Sequence, residues 1–149
     1  MRFVIQRVKN ASVTVKNSIV GKIGSGFLVL IGITNSDTKE IANAMAKKLV
    51  NLRIFNDSQD KMNLSIKDVD GSLLLVSQFT LYADCSHGNR PGLTNAAKPD
   101  YANELYQYII SEVKKYDITV ETGIFGADMK VELLNDGPVT IILDSDEIL

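Results

Sequence analysis

The chain has 149 residues, 16 of them basic and 18 acidic, for a net charge of −2, and a single cysteine, Cys85. That length suits one domain burying roughly 68–70% of its unfolded surface, so neither a disulfide nor a structural metal is needed; one cysteine excludes an internal disulfide and fits a reducing compartment. The charge balance argues against a protein that grips a long nucleic acid, which carries a basic face or stripe. The adjacent basic pairs, Lys47-Lys48 and Lys114-Lys115, read as solvated sides of helices. A polynucleotide partner therefore fits only if little of it is held, such as one end. The N-terminus is too short and polar for a signal peptide, and no apolar run approaches the ~18 residues of a membrane span. The expectation is a soluble cytoplasmic protein without a membrane partner.

Along the chain, Phe3 to Val8 reads as a first strand, followed by Ser12 to Val15, a turn at Lys16-Asn17-Ser18 and a returning strand, Ile19 to Ile23. Gly24-Ser25-Gly26 breaks the chain before an apolar strand from Phe27 to Thr34. Ser36 or Asp37 is placed to cap a helix running to about Leu52, with Ile41, Ala44, Met45, Leu49 and Leu52 on one stripe. Arg53-Ile54-Phe55 leads into a polar loop, Asn56 to Lys61, and Asp70-Gly71 launches a strand that reads from Leu73 to Tyr82. Ala83 to Lys98 is aperiodic, and a loop of ~16 residues is uncommon in a compact domain unless functional or mobile. Pro99 opens a second helix with Ala102, Leu105, Ile109 and Val113 inward. Three strands follow: Ile118 to Glu121, Met129 to Leu134 and Val139 to Leu143. The acidic tail, Asp144 to Glu147, reads as a solvated end. No linker divides residues 1–149, so the reading is one domain.

The Leu73 strand carries the most information. Four aliphatic residues predict burial on both faces, after which Ser77, Gln78 and Thr80 bring polar groups to its end. They either cap the strand by bonding the nearby backbone or face a ligand from a direction fixed by the sheet. An internal echo bears on the choice. Gly26 to Thr34 aligns without gaps on Ser72 to Thr80, so Ser77 and Gln78 stand where the first copy has Ile31 and Gly32. Packing alone does not ask for polar groups there.

Familiar chemistries find little support. His87 is the sole histidine and lies in a Gly/Asn/Pro loop, a poor setting for a locked triad imidazole. Asp84, Cys85 and His87 match no zinc spacing, and no GxGxxG or Walker A pattern occurs. No metal or cofactor is expected. Two further segments remain: Asn135-Asp136-Gly137-Pro138-Val139-Thr140, a turn between strands, and Gly123-Ile124-Phe125-Gly126-Ala127-Asp128-Met129, where glycines permit close backbone approach beside Phe125 and Met129.

Ser77-Gln78-Phe79-Thr80 together with Asn135 to Thr140 resembles the signature motifs of the D-aminoacyl-tRNA deacylases. Gln6-Arg7-Val8, Ala11 to Val15, Arg53-Ile54-Phe55 with Lys61-Met62-Asn63, Arg90-Pro91 and Gly123 to Met129 also look like family segments, in family order. The resemblance implies an α/β fold of curved mixed or antiparallel sheets in a barrel-like layer with two helices outside. It implies a homodimer with active sites at the interface, acting on a tRNA acceptor end that carries a D-amino acid or glycine. It also implies roles: Ser77, Gln78, Phe79 and Thr80 lining the ester, with the Phe79 amide as oxyanion donor, and Phe125 and Met129 contacting the terminal adenosine. Gly137 and Pro138, joined by a cis peptide and braced by Arg7, would enter the partner's site, hold the substrate's amino group and exclude L side chains. Asp60 and Leu93 depart from the common pattern, where glycine and an aromatic residue are usual. Two other readings of the residues stay open: a hydrolase of small esters with Thr80 as nucleophile, and a non-catalytic amino-acid-binding module.

Overall fold

In the computed structural model, which describes residues 1–149, the two expected opening strands are one, β1 (Arg2–Val15). Register shifts against its neighbour between Gln6 and Asn10 bend the strand without ending it, as β-bulges do. Lys16 and Asn17 both take positive φ in the turn to β2 (Ser18–Ile23), the geometry of a tight hairpin. β3 (Gly26–Gly32) then pairs antiparallel with the first half of β1.

The first helix, α1 (Lys39–Asn51), is capped by Thr38, whose hydroxyl accepts from the Ile41 N–H at 3.2 Å. Ser36 and Asp37 do not cap it. The Asp37 carboxylate is already engaged by the Thr34 N–H at 2.8 Å and the Met1 ammonium at 2.6 Å. The buried stripe is Ala42, Met45, Ala46, Leu49 and Val50, rotated from the expected one, and Ile41, Ala44 and Leu52 are half-buried at its border. A short hairpin of β4 (Phe55–Asn56) and β5 (Met62–Leu64) leads to β6 (Ser72–Ser77), parallel to β3. Strand β6 stops at Ser77 instead of Tyr82, because Phe79–Tyr82 coils into a 3-10 turn. The second helix, α2 (Pro99–Lys114), buries Ala102, Leu105, Ile109 and Val113 as expected, with Tyr106 and Ile110 beside them. It crosses to β7 (Thr119–Thr122), parallel to β6.

The last two expected strands are also one, β8 (Lys130–Asp144), which pairs along nearly the whole of β1 and absorbs the Gly137-Pro138 segment at the register shifts. A short helix, α3 (Ser145–Ile148), follows. The tail is not a simply solvated end: Asp144 and Ser145 are buried. The Met1 ammonium donates to Ser145 Oγ at 2.8 Å, and Arg2 donates to Asp144 Oδ2 at 2.9 Å. Burial alone would raise the Asp144 carboxyl, but the Asp146 N–H and the Arg2 guanidinium outweigh it and hold the group below the usual carboxylate range.

Alternation divides the core. Phe27, Val29, Ile31, Leu73 and Leu75 face the helices, whereas Leu28, Leu74 and Val76 point inside the curled sheet with Val8, Val13 and Ile23. The order β2-β1-β3-β6-β7 curls until β2 meets β7. A methyl on Gly21 would lie 2.5 Å from the Thr122 carbonyl oxygen, so only glycine lets the edges approach and nearly close the barrel. The result is the expected mixed α/β fold with a barrel-like sheet and α1 and α2 outside. Because Arg2 to Gln6 pair with both β3 and β8, these flank β1, and the outer edge of β8 pairs with nothing in the chain.

Gly26 fixes where β3 and β6 begin. Its φ is +155°, and a methyl there would sit 1.8 Å from the Ser72 carbonyl oxygen. Gly26→Ala is expected to cost at least ~3 kcal/mol, since strain and a backbone clash add, measured as a lower urea midpoint with an unchanged slope.

Candidate active site

The internal echo is a physical pairing. Gly26 pairs with Ser72, Leu28 with Leu74 and Ile31 with Ser77, and the ladder closes where the Gln78 N–H donates to the Ile31 carbonyl at 2.8 Å. Beyond Ile31 stands Gly32, where a methyl would lie 2.9 Å from Leu81 Cβ and 3.2 Å from the Tyr82 ring. The bare backbone of Gly32 is the floor on which the Phe79–Tyr82 turn rests.

A cavity of about 540 Å³ opens beside these strand ends. Ile31, Val76, Ser77, Gln78 and Phe79 line one side, Phe125 to Met129 another, and Leu93, Ala96 and Ala97 of the aperiodic loop a third. The cavity is mostly apolar, with few polar groups at its mouth, as small-ligand sites are. Ser77, Gln78, Phe79, Phe125 and Met129 thus converge on one cavity. Thr80 lies next to Phe79 in the turn, and its hydroxyl accepts a short hydrogen bond from the Gln78 side-chain amide. The first bond of the turn is donated by Leu81 to the Gln78 carbonyl, so the N–H groups of Phe79 and Thr80 have no partner within it.

The Phe125 segment is fixed from behind. Phe125 packs on Tyr106 with ring centroids 6.0 Å apart, and the Tyr106 hydroxyl donates to the Leu75 carbonyl at 2.7 Å. Burial pushes the Tyr106 phenol up to about 12, so it remains a neutral donor. Met129 occupies the space that a side chain at Gly123 would need: a methyl there would lie 2.5 Å from its sulfur.

Arg7, Gly137 and Pro138 lie elsewhere. Arg7 is buried, and its Nε donates to the Asp136 carbonyl at 2.9 Å, its Nη1 to the Ile54 carbonyl at 2.7 Å. The Asn135 side chain accepts from the Val139 N–H at 2.7 Å and donates back to the Val139 carbonyl at 3.2 Å, pinching the chain around Asp136-Gly137-Pro138. The Gly137–Pro138 peptide is cis, and both residues are exposed. None of the three lines the cavity. Arg7 pairs with Phe27, four residues and roughly 13 Å along β3 from Ile31.

His87 is exposed, with Nδ1 2.8 Å from Ser86 Oγ and 3.8 Å from Asp84 Oδ2. It lines no part of the cavity, and its polar partners are Ser86 and Asp84, not Ser77 or Thr80. No three His, Cys, Asp or Glu side chains come together as a metal-binding set. Ala96 and Ala97 were not singled out in the sequence, where the length of the aperiodic loop was the only signal, and Leu93 was noted only as a departure from the family pattern. Tyr106 was not singled out either; it reads there as an ordinary core position.

The model of the D-Tyr-tRNA(Tyr) deacylase family matches residues 4–144. The chain belongs to that family. The D-aminoacyl-tRNA deacylase of Thermosipho africanus is 54% identical over 148 residues, covering 99% of each chain. That of Fusobacterium nucleatum is 56% identical over 145 residues, covering 97% of this chain and 96% of its own. Among solved structures, the c-Myc DNA unwinding element binding protein matches at a TM-score of 0.91 and 38% identity, covering 97% of this chain and 98% of its own. A probable eukaryotic D-amino acid tRNA deacylase shares the fold at a TM-score of 0.80 and 18% identity, covering 95% of this chain and 97% of its own. The deacylase family is one of hydrolases that act on D-aminoacyl-tRNA.

Within a deacylase, Gly123 matters through Met129. Gly123→Ala should displace the Met129 sulfur, lowering kcat/KM for D-Tyr-tRNA roughly two- to tenfold with Tm within about 3 °C. Steady-state kinetics beside a thermal melt would check both halves.

Proposed function

We propose that this chain cleaves the ester between a D-amino acid and the terminal adenosine of tRNA, at a site that a second copy of the chain completes. The carrying observation is the separation of the motifs. The cavity holds Ser77, Gln78 and Phe79, whereas Gly137 and Pro138 stand exposed, level with the far end of β3. One chain presents half of a site twice over. Two copies related by a twofold axis could exchange these halves, each inserting Gly137-Pro138 beside the other's cavity.

The surface of β8 supports the association. Its outer edge is unpaired, and Leu133, Leu134 and Ile142 are exposed along it. Long apolar edge strands are usually covered in folded proteins, because their free N–H and C=O groups pair readily with another strand. A twofold partner covers that edge.

The chemistry asks little of acid–base groups. An aminoacyl ester is already activated, so orientation and oxyanion donors supply much of the required catalysis. The free N–H of Phe79 faces the developing negative charge, and Gln78 and Thr80 hold the ester and its water. Thr80 Oγ is tied to Gln78 with no base beside it, which favours positioning over nucleophilic attack. The ribose 2′-hydroxyl of the substrate takes part in the proton transfers. Phe125 and Met129 give the adenine an apolar seat, and the Gly137-Pro138 backbone, braced by Arg7, meets the amino group. A backbone wall rejects an L side chain by collision and accepts a D one. Glycine has no side chain to collide, so a glycyl ester on tRNA is a substrate as well. Contact limited to the acceptor tip reconciles a tRNA substrate with a net charge of −2.

Purified protein given D-Tyr-tRNA and L-Tyr-tRNA with chelator present should release tyrosine from the D ester alone. Equal cleavage of both would remove the chiral filter, and cleavage of neither would leave a binding module. The shared site has its own test. Gln78→Ala and Gly137→Ala should each be nearly inactive, and mixing them under subunit exchange should restore roughly a quarter of wild-type activity, because half the dimers then carry one intact site. No recovery in verified mixed dimers would mean each site is built within one chain.

A further inference from the structure

The turn that carries Phe79 and Thr80 is only four residues long, too short to hold its own shape. Beyond its packing on Gly32, one side chain bonds it to the rest of the domain. Arg2 pairs with Gly32 on one edge of β1 and with Asp144 on the other, so it stands between the turn's floor and the end of β8. Its Nη1 donates to the Leu81 carbonyl at 2.7 Å, and its Nε and Nη2 reach Asp144 Oδ2 at 2.9 and 2.8 Å. The guanidinium also lies over the Tyr82 ring, 4.9 Å from its centre. The Tyr82 hydroxyl is buried with no hydrogen-bond partner, so that ring's polar end does not anchor the turn. Arg2 does not line the cavity, yet it grips the segment two residues beyond Phe79.

We infer that Arg2 is a positioning residue: clamped by Asp144, it fixes the Leu81 carbonyl and thereby aims the Phe79 and Thr80 N–H groups at the scissile ester. This role presupposes the deacylation proposed above. Arginine suits it for a specific reason. Its planar fork serves a carboxylate and a carbonyl at fixed angles while its face stacks on an aromatic ring, which a lysine ammonium does not do. The buried Asp144 carboxylate keeps the fork in one orientation, and the α-ammonium beside it is occupied by Asp37 and Ser145.

Arg2→Met keeps the apolar stem and removes the fork, and Arg2→Lys keeps the charge. Below the melting range of all three proteins, kcat and KM for D-Tyr-tRNA are read separately, beside amide exchange at Leu81, Ala83 and Val29. In Arg2→Met, kcat should fall roughly tenfold with KM changed less than about twofold, the size of one lost charge-assisted hydrogen bond acting in the transition state. Exchange at Leu81 and Ala83 should quicken by a similar factor while Val29, deep in β3, stays protected; Arg2→Lys should fall between. Unchanged kcat in Arg2→Met, unchanged exchange at Leu81 and Ala83, or a fall in kcat matching a loss of folded protein would overturn the role. Wild-type protein that leaves D-Tyr-tRNA intact would overturn the deacylase reading instead, and exchange at Leu81 and Ala83 would still decide whether Arg2 holds the turn.

Discussion

Parallel strands need a crossover between them, and here α1 supplies the one that sets β6 beside β3 in the register Gly26 to Ser72. Strands covered on both faces have no room for polar side chains along their length. Polar groups therefore collect where the pair ends, at Ser77 and Gln78. Gly32 decides what happens next. With no side chain at that position, the chain after Gln78 folds down onto β3 as a 3-10 turn instead of running on as a strand. A methyl at Gly32 would meet Leu81 Cβ and the Tyr82 ring within 3.2 Å, so turn and strand end form one unit.

That unit bears on how an apolar cavity would act on an ester in the proposed reaction. The groups at its mouth are set in direction by backbone: Ser77 by the strand, Phe79 by the turn in which Thr80 follows it, Gln78 by its bond to Ile31. Rigid dipoles held in a low-dielectric pocket need no rearrangement when charge develops, which is their advantage over water. The apolar residues matter for the same reason. Phe125 on Tyr106, and Met129 over Gly123, form a packed wall, which in the proposed reaction would seat a planar ring.

Much of this was legible because periodicity reports burial. Four aliphatic residues from Leu73 announced a strand covered on both sides, and the gapless echo with Gly26 to Thr34 turned out to be the pairing register itself. The α2 stripe read correctly for the same reason. What failed was everything decided by a single long-range contact. Thr38 caps α1 because the Met1 ammonium and the Thr34 N–H had already engaged Asp37. The Leu73 strand stopped at Ser77 because Gly32 let the turn fold back, and nothing local to Phe79 says so. β1 and β8 read as four strands because bulges mimic breaks in alternation. The acidic tail looked solvated since its partners, Met1 and Arg2, lie at the other end of the chain. Ser77, Gln78, Phe79, Phe125 and Met129 line one cavity, whereas Gly137 and Pro138 lie apart from it; in the proposed dimer a second chain brings the two together.

β8 ties these parts together by running past all of them. Val131 near its start lines the cavity, the Asn135 to Val139 stretch carries the exposed Gly137-Pro138 turn, and Asp144 at its end clamps Arg2 against the Phe79–Tyr82 turn. Its inner edge is fixed by β1 along nearly the whole length, and its outer edge is left open. In the proposed dimer, the strand that closes over the partner is therefore also the one that, through Asp144 and Arg2, holds the chain's own Phe79–Tyr82 turn. A strand paired so extensively moves as a body rather than residue by residue, because each shift in register would expose buried side chains. The Gly137-Pro138 wall offered to one site and the aim of the N–H groups in the other are then set by the same element. The proposed chiral exclusion asks for that stiffness, since a wall that yielded by an ångström would admit an L side chain.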